Sequence, residues 1–189
     1  EEFYRESKRL IERYHKRGRA LYAITPRYAL GSSHELLQAC QRLKQEHPDC
    51  WVNTHISETP DEVDAVRAAF AGCADYLAVY EKYGLVGPRF SGGHGIWLSG
   101  DEFPRLSASG AALVFCACSN LFLGSGLFRI GRPTDPRSRV RLAWGSDVGA
   151  GNRFSLLGAL DEGYNIGMCN NATVTDKAEG ERNKISPLR

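Results

Sequence analysis

Long apolar runs are missing from this sequence. None approaches the roughly 20 consecutive residues needed to cross a bilayer, and the opening EEFYRESKRL lacks the apolar centre of a secretory signal. An excess of one charge is missing as well. Lysine and arginine number 24 and aspartate and glutamate 22, for a net charge of +2, so no face is driven toward nucleic acid or anionic lipid. These absences predict a cytoplasmic protein with no membrane and no nucleic-acid partner. The spacings of zinc knuckles and redox pairs are absent too. Six cysteines stand at 40, 50, 73, 116, 118 and 169, and the closest pair, Cys116-Ala117-Cys118, is not C-x-x-C. They read as buried reduced thiols. No internal repeat or low-complexity segment interrupts the chain. What remains is ordinary globular composition, 42% hydrophobic and 24% charged over 189 residues, enough for one core.

Hydrophobic periodicity alternates between helix and strand along the chain. Residues 1–18 carry a helical stripe of Phe3, Leu10, Ile11 and Tyr14, and 21–25 form a short apolar strand. Ser32 and Glu35 have capping-box spacing before a helix over 33–47, whose buried stripe is Leu36, Leu37, Cys40 and Leu43. A strand at 51–55 follows. Thr59-Pro60-Asp61-Glu62 then opens a helix with Val63, Val66 and Phe70 inward. A second short helix falls within 73–87, a Gly-rich strand at 90–94, and a capping box at Ser99 and Glu102. Strands at 111–115 and 140–144 flank a long loop over 119–138 with one helical turn, and a last helix covers 155–166. The chain divides into an α/β body over 1–175 and a polar tail over 176–189 that is expected to fray. Five strands separated by helices or long connections fit a doubly wound sheet or part of a (β/α)8 barrel, and the pattern alone leaves both open.

Chemically capable residues recur just after the strands: Arg27, then His55 and Glu58, His94, and Asp147. In a (β/α)8 barrel the C-terminal strand ends meet on one face, where active sites lie, whereas a doubly wound sheet gathers only those near its switch point. Histidine and aspartate are zinc ligands by donor type, and Glu58, three residues past His55, can lean over the same metal. Singly, each has a plain structural explanation: a hydrogen-bonded strand-end histidine, a turn-forming Asp147, a solvated Arg27. Jointly, on successive strands, they point to a site. His15, His34 and His47 fall in or beside helices and read as solvated.

The segments YAITPR (22–27), THISE (54–58), GHG (93–95), SNLFLGSGLF (119–128) and GSDVGAG (145–151) carry a resemblance over residues 1–166 to the guanine deaminases of the zinc-dependent amidohydrolase superfamily. The resemblance implies the C-terminal part of a (β/α)8 TIM-type barrel, incomplete in this chain, and one zinc ion per active site. It makes His55 and Asp147 metal ligands, Glu58 the proton shuttle, and His94 a group that polarises the water or the tetrahedral centre. Arg27 and Tyr28 would hold the purine beside His55 and Asp147. The implied reaction turns guanine and water into xanthine and ammonia, in a possible homodimer. The family's H-x-H zinc pair does not occur in this sequence, and Phe115-Cys116-Ala117-Cys118 stands where the family has His-Cys-Pro-x. A catalytically incompetent fragment or degenerate copy is therefore the second reading. A hydrolase of the same superfamily acting on another purine or on a triazine is the third.

Overall fold

The computed structural model describes residues 1–184. Its frame is a sheet of five strands: β1 (Ala23–Ile24), β2 (Trp51–Ile56), β3 (Phe90–His94), β4 (Ala112–Phe115) and β5 (Arg141–Trp144). All neighbouring pairs are parallel, and the spatial order is the chain order, β1-β2-β3-β4-β5. A doubly wound sheet reverses its strand order at a switch point. No reversal occurs here, so the five β/α units form one arc of a barrel wall.

Helix α1 (Glu2–Tyr14) precedes the sheet; α2 (His34–Glu46), α3 (Pro60–Ala69) with α4 (Tyr76–Lys82), α5 (Glu102–Ser109) and α6 (Ala117–Phe122) lie in the crossovers; and α7 (Leu156–Thr173) and α8 (Lys177–Asn183) follow β5. Helix α3 starts as its sequence requires. Thr59 accepts from the Glu62 amide, Glu62 returns the bond, and Pro60 occupies the first turn. Helix α2 starts one residue later than its spacing predicts: Ser33, not Ser32, accepts from the Leu36 amide. Only half of the box predicted at Ser99 forms: the Glu102 carboxylate takes the Ser99 amide, but the Ser99 hydroxyl does not take the Glu102 amide. Glu102 is buried, and its carboxylate accepts from the Ser99 and Leu77 amides (2.6 and 3.0 Å), tying α5 to α4. Helix α7 runs seven residues past the predicted end at 166, because Asn170 donates to the Phe128 carbonyl (2.8 Å) and anchors the extra turns. The expectation of a frayed tail also fails over its first part. Helix α8 is capped by Asp176 and docked through Asn183, which accepts from the Gly131 amide (2.6 Å). The rest of that tail, 185–189, lies outside the described residues.

Alternate strand residues separate two faces. Val52, Thr54, Ile56, Phe90, Leu113 and Phe115 are buried against the helical layer with Leu37, Leu43, Leu77 and Leu106. Asn53 and His55 on β2 and Arg141 and Ala143 on β5 alternate onto the other face and are less covered. That face is the lumen side of a barrel wall. Strands β1 and β5 each pair with one neighbour. No helix among the described residues is long and apolar enough to cross a membrane. The cysteines are all free; Cys40, Cys50, Cys116 and Cys118 are buried as expected, but Cys73 is half-buried and Cys169 exposed. His15 also departs from expectation. Its side chain is 7% exposed, because its Nδ1 accepts from the Tyr22 amide (3.0 Å).

Candidate active site

The strand ends carry the site. Register pairs His55 with Gly93 and Ile56 with His94. Ile56 packs into the helical layer, and a regular strand would send His94 the same way. Instead His94 has φ +69°, and its ring stacks on His55 with centroids 5.2 Å apart. Ser57 (φ +49°) and Asp147 (φ +45°) are also in the left-handed region. Non-glycine residues are costly there, and such positions cluster at functional sites.

His94 is the hub of the contacts. It is 1% exposed. Its Nε2 lies 3.7 Å from Glu58 Oε2 and 3.9 Å from Asp147 Oδ2, and its Nδ1 is 2.9 Å from Asn120 Oδ1. Thus His55, Glu58, His94 and Asp147 meet at one end of the sheet. Arg27 and Tyr28 sit beside them. Together with His55, Glu58, Thr59 and Glu62 they line a cleft of about 240 Å³. The Arg27 guanidinium is 5.2 Å from the Tyr28 ring centroid, and Tyr28 meets His55 edge-on at 6.5 Å. The Arg27 side chain is exposed and forms no ion pair among the described residues. Its backbone has a different role: the Arg27 carbonyl accepts from the His55 amide (3.1 Å) and pairs with His55 Nδ1 (2.6 Å).

That last bond bears on the zinc the resemblance implies. A carbonyl only accepts, so His55 Nδ1 carries the proton and Nε2 presents its lone pair. Metal-bound histidines typically donate their other ring N–H to a carbonyl or carboxylate in this way. His55 and Asp147 therefore fit zinc by donor type and, for His55, by tautomer. Two donors are fewer than the three protein ligands of an ordinary catalytic zinc site. Cys116 is buried nearby, its thiol pushed up to about 12 by burial and then by the Asp147 carboxylate. Among the described residues a different trio, His15, Asp49 and Cys50, has donor atoms within 4.8 Å of one another. It is a structural cluster. His15 Nδ1 accepts from the Tyr22 amide, so Nε2 holds the proton and faces Asp49 at 3.2 Å, and the Lys16 ammonium covers the same carboxylate.

Several supporting residues were not singled out by sequence. Asn120 and Ser125 belong to SNLFLGSGLF, a segment that carried the resemblance but was otherwise read as a loop with one helical turn and given no site role. Ser125 donates to Glu58 Oε1 (3.0 Å) and the Trp97 indole donates to the Ser125 carbonyl (2.8 Å). Glu62, read as a helix cap, also accepts from the Glu58 amide (3.0 Å) and so fixes where Glu58 begins. The Tyr80 hydroxyl donates to the His55 carbonyl (2.7 Å). The one signal available in advance was the density of small polar residues and glycines in SNLFLGSG, a composition suited to close backbone approach.

A parallel β/α arc with histidines, a glutamate and an aspartate gathered at its C-terminal strand ends has the layout of the site face of a (β/α)8-barrel protein. Accordingly, the amidohydrolase family profile matches residues 1–188, and the chain belongs to that family. Within it, the similarity is to guanine deaminases. The Escherichia coli (strain K12) guanine deaminase is 45% identical over 166 residues, 88% of this chain and 37% of the relative. A probable guanine deaminase of Deinococcus radiodurans is 45% identical over 157 residues, 83% of this chain and 35% of the relative. The crystal structure of guanine deaminase from Bradyrhizobium japonicum superposes with a TM-score of 0.96 at 63% identity, covering 100% of this chain and 42% of that one. The chain thus spans less than half the length of the relatives it matches.

Proposed function

We propose that this chain supplies the purine-binding and proton-handling half of a zinc-dependent guanine deaminase. The observation that carries the reading is the placement of His94 Nε2 within 3.7 and 3.9 Å of Glu58 and Asp147 while its ring stacks on His55. In the overall reaction the oxygen of water bonds to the carbon bearing the amino group. The carbon–nitrogen bond then breaks, and ammonia and xanthine leave.

His55 and Asp147 would hold the zinc ion, which when bound supplies the Lewis acidity that lets water attack at neutral pH. Glu58, fixed on Oε1 by Ser125, takes a proton from the attacking water, delivers it to the ring and returns one to the leaving amine. His94 faces the same water and helps polarise the tetrahedral centre. Arg27 binds the purine carbonyl through its planar, forked donors, and the Tyr28 ring forms the neighbouring wall.

A specific observation favours a second reading, a catalytically silent piece of such an enzyme: the chain has no H-x-H, and only two of its site residues are fitted as ligands. The two readings, and the third in which the substrate is another purine or a triazine, separate in one assay. A chain joined to all eight barrel strands is loaded with zinc and offered guanine, adenosine and a triazine. Xanthine from guanine, with little turnover of the others, is expected. Turnover of a triazine or adenosine in preference to guanine would overturn the substrate assignment, and no turnover of any would favour the silent reading.

A further inference from the structure

We propose that residues 120–125 form a positioning clamp that holds the two proton-handling side chains in register, Asn120 on His94 and Ser125 on Glu58. The proposal rests on the deaminase reading above and extends it to residues with no contact to substrate of their own.

Both contacts come from one short, tightly bonded turn. Asn120 lies in α6, and the Ser125 amide donates to the Asn120 carbonyl (2.9 Å), which closes the loop between them. The two side chains then reach in different directions. Asn120 Oδ1 meets His94 Nδ1 at 2.9 Å, and the Ser125 hydroxyl meets Glu58 Oε1 at 3.0 Å. Asn120 is 1% exposed and Ser125 3%, so water does not substitute for either bond. The free ends of both partners, His94 Nε2 and Glu58 Oε2, are consequently turned toward each other at 3.7 Å. Trp97 pins the turn from the far side through its bond to the Ser125 carbonyl.

Energetics argue that Asn120 is not there for stability. Its amide nitrogen is buried with no hydrogen-bond partner among the described residues. Burying an unsatisfied donor is destabilising, and an apolar side chain of the same shape avoids that cost. The amide oxygen is the part with work to do. Because it accepts, it selects the ring orientation in which Nδ1 points into the protein and Nε2 points at the two carboxylates.

The test compares Asn120→Leu and Ser125→Ala with the conservative Asn120→Asp and Ser125→Thr, which keep the acceptor oxygen and the hydroxyl, in this chain joined to all eight barrel strands and loaded with zinc. Outer-shell partners of this kind cost about 10–100-fold when removed. N120L and S125A should lower kcat by about that factor, leaving KM and zinc content near those of the unmodified protein. N120D and S125T should recover most of the loss. Unchanged kcat in N120L and S125A, or an equal loss in the conservative pair, would overturn the clamp. If N120L fails to fold, N120A removes the same oxygen without the bulk and is read in the same way. If the unmodified protein makes no xanthine, the deaminase reading fails by itself. The clamp is then judged on the ¹⁵N signals of the His94 ring, which should move in N120L and stay in S125A; no movement in N120L refutes it.

Discussion

The contact between α7 and β5 gives a sharp prediction, because one glycine sits where a methyl group has no room. Gly163 lies on the buried side of α7. A Cβ there would overlap the Trp144 ring at Cζ3 and Cη2 and come within 3.2 Å of Phe115, where carbon atoms ordinarily rest at about 3.5–4.0 Å. The Trp144 ring cannot simply swing away, since it packs on Phe115 with centroids 4.8 Å apart. Overpacking of this kind costs about 1–3 kcal/mol, and replacing glycine by alanine inside a helix returns about 1 kcal/mol. Gly163→Ala should therefore lose up to about 2 kcal/mol net, which in a chain of this length lowers Tm by up to about 8 °C. Gly158→Ala is the control on the same helix. The Cβ there meets the flexible Arg153 side chain at 3.0 Å, so the helical gain should survive. Thermal unfolding followed by circular dichroism compares the three proteins. The effect should also reach the site, because Trp144 is three residues before Asp147 and its displacement would weaken zinc uptake. A G163A protein that melts at or above G158A would refute the packing argument.

Three further outcomes follow from the site and its surroundings. Arg27→Ala, in a chain with the whole barrel, should sharply reduce guanine turnover while zinc content and Tm stay nearly unchanged. The substitution removes the guanidinium and leaves the carbonyl that holds His55, and a large drop in Tm would mark Arg27 as structural instead. Glu58→Gln should retain zinc and lose at least ~10²-fold in turnover, the scale of a general acid–base group; near-normal activity removes Glu58 from the mechanism. Asp49 is held well below the usual carboxylate range by the Lys16 ammonium and then by His15. A depressed carboxylate contributes stability above its unfolded value near 3.8 and loses that contribution as pH falls toward the folded value. The Tm of the unmodified protein should thus drop more between pH 6 and pH 3 than that of Asp49→Asn, and equal drops would show that the pair contributes nothing.

Much of the frame was legible because its signals are local. Apolar or Gly-rich runs marked all five strands, capping signals marked the helices after the first three, and the Thr59–Glu62 box was read to the residue. Ser32 was misread as a cap because Ser33 offers the same hydroxyl one position later, and only backbone geometry separates them. For Glu102 the sequence showed the Ser99 partner but not the second one, the Leu77 amide, which is 25 residues away. The same limit explains α8: its composition is polar, but Asn183 bonds to Gly131, which is distant in sequence. In the site, donor type and strand position picked out His55, Glu58, His94 and Asp147. They did not reveal that His94 needs a left-handed backbone to join the others, nor that Asn120 and Ser125 hold the free ends in place. Those features depend on the sheet register and the α6 turn, which a single sequence does not encode locally.

The proposal that this chain contributes only part of a zinc site, His55 and Asp147, together with the proton carriers Glu58 and His94, can be tested on the chain by itself. The direct measurement is to purify residues 1–189 without a metal-chelating tag, add one equivalent of zinc, dialyse, and determine bound metal and xanthine formation from guanine. Two ligands on an open barrel arc lack the coordination number and preorganisation that make a catalytic zinc site strong. Zinc well below one equivalent and no xanthine above an E58Q control are expected. Stoichiometric zinc with turnover above that control would contradict the proposal.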